Sequence, residues 1–405
     1  MVDVVLRCAP QTSIKELEHR GYILAGSTSQ DTYKASIPRE EIAQIYQTPC
    51  RIIDYVTTPS GSNFFDTYAN LSSTRSFVLD AHLKNKNISR YIEYGASHLG
   101  VPLFALYLST NISNMIPPAN STSRTNPIVM VTSLSHAREW ISGMATCYII
   151  NQLIDQMTQN NSLVDYLIVP VLNPDGFNYS HHHDRLWRKN RHTATSGAPS
   201  NGVDLDRNFP SGWGKGSIDS HQPGRLIYNG AHPLSESETM SFANNLTKPF
   251  VGRVKAFLDL QSFGQIISPC PLYTKQKDDN YDLLRNLTLR IANTMTLVND
   301  VKYSAKGSTD LGFTMGGTLT DFMYERVGAA SFTVYLRDKG ENKWLLPKEQ
   351  IIPTCKEAYS AIKVISHWVE NENTTLVGVP LAQSRAVMFG PGWTLMICIF
   401  LLMYV

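Results

Sequence analysis

Over 405 residues the six cysteines never fall in a Cys-x-x-Cys spacing, and no internal repeat, low-complexity tract or surplus of one charge is present. Cys8, Cys50, Cys147, Cys270, Cys355 and Cys398 are scattered, which excludes zinc-finger and thioredoxin-type readings that need thiols a fixed step apart. One or two disulfides are possible, but spacing pairs none of the six thiols; Cys147, inside an apolar helical stretch, reads as a small core residue. The 36 Lys and Arg almost cancel the 34 Asp and Glu, a balance that points to neither a nucleic-acid partner nor an acidic substrate. The segment from Met1 to Thr12 has no basic start followed by an apolar run, so no secretory leader is visible.

What is present is an ordinary globular composition, 42% hydrophobic and 17% charged, long enough for one large domain with an appendage. Asn-x-Ser/Thr sequons stand at Asn70, Asn87, Asn111, Asn120, Asn160, Asn178, Asn245, Asn286 and Asn373, against about four expected by chance, which favours the secretory pathway. Residues 386–405 are uncharged and end in an apolar run behind a polar spacer at 371–385. That tail has three open readings: a GPI-attachment signal, a spanning helix, or a buried terminal element. The first two imply membrane association; a GPI signal also requires entry into the secretory pathway and so a longer natural N-terminus, which a transcript encoding an apolar leader would support and a verified start at Met1 would refute.

Residues 1–60 read as a small α/β unit, with strands at 22–25, 31–37 and 51–56 and helices at 13–20 and from Pro38. Residues 64–370 alternate helices and short apolar strands, which predicts an α/β sheet covered by helices on both faces. Strands are expected at 127–131, 167–172, 254–260 and 331–336, and helices at 140–157, 235–248, 281–298 and 347–370. Asn173-Pro174-Asp175-Gly176 reads as a turn, His181-His182-His183 as an exposed loop, and His232 as part of a turn. Sites in such sheets gather at the carboxyl ends of strands, which directs attention to His136 and Glu139, to 173–177, to 261–263 and to 335–338.

His136 and Glu139 are three residues apart, a spacing that lets an imidazole and a carboxylate reach one divalent cation. With His-Ala-Arg-Glu-Trp at 136–140, Asn-Pro-Asp-Gly-Phe at 173–177, Leu-Trp-Arg-Lys-Asn-Arg at 186–191 and Val-Asp-Leu-Asp-Arg-Asn-Phe at 203–209, the chain resembles the carboxypeptidase A/B family of zinc metallocarboxypeptidases. Tyr-Asn-Gly-Ala-His-Pro-Leu-Ser-Glu at 228–236, Leu-Arg-Asp-Lys-Gly at 336–340 and Leu-Leu-Pro-Lys-Glu-Gln-Ile-Ile-Pro-Thr at 345–354 extend the likeness from about 67 to 367. The resemblance implies a three-layer α/β domain with a central mixed sheet, preceded by a shortened pro-segment-like domain. It also implies one zinc ion, and a peptide or protein C-terminus as substrate.

Carried over residue by residue, the resemblance matches His136 and Glu139 to two zinc ligands, Arg138 to a subsite arginine, Arg188 to the oxyanion arginine and Arg207 to the carboxylate clamp. Elsewhere the sequence departs from it. Gln261 stands where the third zinc ligand is a histidine, Asp206 at the carboxylate-binding asparagine, Phe313 at the mobile tyrosine, and Tyr335 at the glutamate base. Thr320 falls on the specificity position, where a small neutral side chain selects no charge. A glutamine amide is a poor zinc ligand, a phenol titrating near ~10 is no base at neutral pH, and an aspartate repels a docking carboxylate. The expectation is therefore a catalytically impaired homologue that keeps a peptide-binding cleft. Its alternative is an active metallocarboxypeptidase with an atypical site.

Overall fold

The computed structural model describes the backbone of residues 2–8, 23–29, 32–37 and 50–56, and with side chains residues 64–115, 125–159, 162–193, 202–216, 218–372 and 374–377, except the side chains at 114, 218 and 219. The first four segments are strands β1 (Val2–Cys8), β2 (Ile23–Ser29), β3 (Thr32–Ile37) and β4 (Cys50–Val56), in the sheet order β2-β3-β1-β4. The sequence reading missed β1, whose register sets Cys8 opposite Cys50. The helices expected at 13–20 and after Pro38, and the tail at 386–405, lie outside the described residues.

The larger sheet begins after helix α1 (Leu71–Lys84), which Asn70 caps by accepting the Ser73 amide at 2.9 Å. Its eight strands include β5 (Ser89–Ala96), β6 (Pro102–Leu108) and β7 (Ile128–Ser133), then β8 (Asp165–Val169) beyond helix α2 (Trp140–Gln159). Helix α3 (Pro174–His182) follows, and then β9 (Val254–Ser262), β10 (Ile266–Pro269), helix α4 (Tyr281–Asn299), β11 (Ser304–Ala305), the short helix α5 (Leu319–Phe322), β12 (Ala330–Leu336) and helix α6 (Ile351–Asn371). The strand order is β11-β10-β12-β9-β7-β8-β6-β5. Its centre, β12-β9-β7-β8, is parallel, and antiparallel pairs flank it, so the sheet is mixed as expected.

Alternation along the strands sends side chains to two separate cores. Val129, Val131, Ile168, Leu258, Leu260 and Val334 pack on one face under α1, α2, α4 and α6, with Trp368 and Cys147 fully buried among them. Ile128, Met130, Leu167, Val169 and Phe257 pack on the other, beneath Phe209, Phe242, Leu246 and Phe322. This second layer is made of short, irregular pieces. The single helix expected at 235–248 is a turn of α-helix at Ser237–Ser241 that widens into a π-helical turn at Phe242–Thr247. Cys147, Cys270 and Cys355 are free and buried.

Two further expectations change. Asn173-Pro174-Asp175-Gly176 is the start of α3 rather than a free turn: Asn173 Oδ1 accepts the Gly176 amide at 2.9 Å, and Pro174 occupies the first helical turn, where its missing N–H costs nothing. His181 and His182 form the last turn of that helix, and the His181 ring stacks on Trp140 at 3.7 Å, so the triple histidine is not a free loop. Among the described residues no helix is long and apolar enough to cross a membrane.

Candidate functional site at the carboxyl edge of the sheet

Three parallel strands deliver the site. β7 runs into the loop carrying His136, β9 ends with Gln261 one residue from its end, and β12 ends with Tyr335 likewise. Gln261 and Tyr335 are register partners across the parallel β9–β12 pair, so the third-ligand and base positions are neighbours by construction. The His136 loop is braced from β8's side: the Asn173 side chain donates to the Ser135 carbonyl at 3.2 Å, and the Ala137 amide donates to the Arg188 carbonyl at 3.0 Å.

His136 is buried between two carboxylates. Its Nδ1 lies 2.9 Å from Glu139 Oε1 and its Nε2 lies 3.0 Å from Asp204 Oδ1. Both nitrogens can be satisfied in this way only if both carry protons, the form that cannot ligate a metal. Burial and the Arg188 charge pull the imidazole pKa down, but Glu139 and Asp204 outweigh them and raise it above its ordinary value. Asp204 is fully buried; burial disfavours its charge, yet Arg188 and His136 hold its carboxyl far below the usual range. Glu139 Oε2 also accepts the Ser262 amide at 3.0 Å, which ties the loop to the end of β9.

Gln261 makes the second half. Its Nε2 donates to Asp206 Oδ2 at 3.0 Å and to Asp259 Oδ2 at 2.7 Å, which uses both amide hydrogens. Asp259 also accepts from Thr132 Oγ1 at 2.6 Å; burial and the charge of Asp206 raise its pKa. Asp206 additionally accepts the Leu319 amide at 2.9 Å and faces Arg207 Nη1 at 3.2 Å, so the clamp arginine is paired within the chain. Tyr335 is raised further above its already high pKa by burial and by Asp206, which leaves it protonated.

The remaining predicted residues spread around this centre. Arg188 sends Nε and Nη2 to Asp204 Oδ2 at 3.0 and 2.8 Å. Arg138 lies 3.4 Å over the Trp344 ring, and its pKa falls to about 10 through burial and the neighbouring Arg188. Thr320 is buried in α5 with its hydroxyl 2.7 Å from that of Thr333, so it presents no free hydroxyl. Phe313 is 55% exposed on the rim. Sequence reasoning gave no role to Asp204, Asp259 or Trp344. Asp259 was accessible from period two alone, since it shares a strand face with Gln261. Trp344, whose Nε1 donates to the Ser262 carbonyl at 3.1 Å, carried no such signal.

The donor set does not fit a three-ligand zinc centre. His136 and Glu139 are adjacent, but the third position offers only the neutral amide oxygen of Gln261, a poor zinc ligand whose own nitrogen is anchored to two carboxylates, and among the described residues no group of three His, Cys, Asp or Glu side chains is arranged to hold a metal ion. Four carboxylates instead form two clusters, Glu139 and Asp204 with His136 and Arg188, and Asp206 and Asp259 with Gln261 and Arg207, joined where the Asp206 amide donates to Asp204 Oδ1 at 3.2 Å.

The profile of a family described as zinc carboxypeptidase matches residues 74–361. Carboxypeptidase B of Astacus astacus is 30% identical over 250 residues, 60% of this chain and 82% of that one. An inactive metallocarboxypeptidase of Talaromyces stipitatus is 28% identical over 404 residues, covering 92% of this chain and 66% of that protein. The structure of bovine thrombin-activatable fibrinolysis inhibitor in complex with a tick carboxypeptidase inhibitor superposes with a TM-score of 0.68 at 28% identity, over 76% of this chain and 99% of that one.

Proposed function

The chain belongs to the zinc carboxypeptidase family, and from that premise we propose that it is a catalytically impaired member whose cleft binds peptide or protein C-termini without efficient hydrolysis. One observation carries this reading: the amide of Gln261 bridges Asp206 and Asp259 where the family resemblance places a zinc-ligating histidine. Tyr335, beside it in register and protonated, supplies no base. His136, with both ring nitrogens turned to Glu139 and Asp204, would have to give up one of those contacts to ligate a metal. The likeness to a Talaromyces relative named as inactive agrees with this.

Zinc content and release of C-terminal residues from peptides test it, in the wild type and in Gln261→His with Tyr335→Glu. The expected result is no stoichiometric zinc and no turnover in the wild type, with metal gained in the double variant. Stoichiometric zinc and turnover in the wild type would favour the active reading and overturn this one. Peptide affinity in the double variant should rise further when Asp206→Asn frees Arg207 from its internal partner.

Passage through the secretory pathway is supported by the sequons, of which Asn87, Asn111, Asn178, Asn245 and Asn286 are exposed. Protein from its natural source should lose mass on treatment with peptide N-glycosidase; an unchanged mass would end that reading.

A further inference from the structure

Next to Arg207 lies a cavity of about 510 Å³ lined by Arg207, Lys215, Ser220, Lys275 and Phe313, with the glycine-rich stretch 312–316 as one wall. Among the described residues no Asp or Glu lines it. Its two lysines have no carboxylate partner among the described residues: Lys215 Nζ sits 4.5 Å over the Tyr273 ring, and Lys275 Nζ reaches only the Gly312 carbonyl at 3.4 Å. Ser220 is 4% exposed, and its hydroxyl has no hydrogen-bond partner, an arrangement that normally calls for a ligand or solvent.

The walls are fixed before anything binds. The Gly316 amide donates to the Lys215 carbonyl at 3.1 Å, and the Gly317 amide to the Ser211 carbonyl at 2.8 Å. A Cβ at Gly316 would come within 2.0 Å of the Gly212 carbonyl oxygen, and one at Gly216 within 2.7 Å of the Thr314 carbonyl oxygen, so the two loops meet as closely as backbone allows. The volume falls in the range of ordinary ligand sites. Because Arg207 is partly neutralised by Asp206, the uncompensated charge comes from Lys215 and Lys275.

We propose that this cavity is an anion pocket that receives the carboxylate side chain of an acidic residue near the end of a bound peptide, with Lys215 and Lys275 setting a preference for acidic tails. Thr320, buried and hydrogen-bonded to Thr333, supplies no charge for that choice, whereas the cavity is lined by Arg207 and Phe313, the residues that the family resemblance places at the peptide end. The proposal rests on the reading of the cleft as a site for peptide ends.

Two fluorescent peptides that differ only in ending Glu-Glu or Gln-Gln test it on the full chain, by anisotropy at low and physiological salt. The acidic peptide should bind about ten-fold more tightly at low salt and lose most of that margin as salt screens the exposed lysines. Lys215→Gln with Lys275→Gln should abolish the preference and leave the Gln-Gln affinity within about two-fold, while Ser220→Ala should lower the preference by a factor of about three. Equal affinities in the wild type, or a preference that survives the double lysine variant, would overturn the proposal. Calorimetry with glutarate separates the two layers. Glutarate binding that the lysine variant loses, with neither peptide bound, would uphold the anion pocket and reject the peptide reading of the cleft. Absence of both would reject both.

Discussion

Gln261 occupies a position where any replacement disturbs two buried carboxylates at once. Gln261→Ala would remove the shared donor of Asp206 and Asp259 and should cost about 2–4 kcal/mol, since hydrogen bonds to charged groups and their loss on burial are of that order. Gln261→Glu should cost more, because it adds a third carboxylate to the pair. Urea denaturation of the two variants checks both the size and the order; an unchanged midpoint in Gln261→Ala would refute the bridge. A second residue with a definite expectation is Glu238. Burial, with Asp175 and Glu236 nearby, raises its carboxyl to about 7, while the His98 amide at 3.3 Å and Asn190 at 3.4 Å are weak partners. The folded state keeps that proton while the unfolded chain releases it. The stability Glu238 lends is therefore present below about 4.5 and is lost as pH rises towards about 7, a penalty on the order of 3 kcal/mol above it. Glu238→Gln should accordingly raise Tm at pH 8 and change it little at pH 4.5, read by thermal melts across that range.

At the scale of elements, the end of α4, the stretch after β12 and the start of α6 are joined by one buried carboxylate. Glu357 accepts from Arg337 Nε at 2.9 Å, Tyr303 at 2.8 Å and Asn299 at 2.8 Å. Glu357→Ala would leave Arg337 without its counter-ion and should cost about 3–5 kcal/mol, whereas Glu357→Gln, which keeps the volume, should cost less; a calorimetric melt distinguishes them. These elements also show what sequence pattern resolves. α2 was legible because Ile141, Met144, Ala145 and Ile149 recur at helical spacing, and β7 because it is a continuous apolar run. β5 was not, since as an edge strand it alternates partly exposed residues without a clear apolar face, and β10 and β11 have four and two residues. The break of 237–247 into an α-helical and a π-helical turn likewise has no counterpart in periodicity.

For the molecule as a whole, the sheet separates a regular layer of long helices from an irregular layer of short ones, and the site lies at the carboxyl edge that both layers border. His136, Glu139, Gln261, Asp206 and Tyr335 could be picked from motifs, because each sits in a run of residues with a recognisable neighbourhood. Asp204 could not be given a role, because its partner His136 lies 68 positions away in another loop; the strand face of Asp259 was legible, but not its partner Thr132, 127 positions away.

The Gln261 bridge has a consequence for how the protein meets its surroundings. A metal centre is a fastener on loan: the compartment supplies it, and scarcity or a competing chelator can call it back. The link from β9 to the 204–207 segment is instead written into the chain and cannot be withdrawn. The protein should therefore melt at the same temperature before and after exhaustive dialysis against a chelator, while Gln261→His with Tyr335→Glu should become dependent on added zinc. If the wild type lost stability on dialysis, the fastener would be on loan after all.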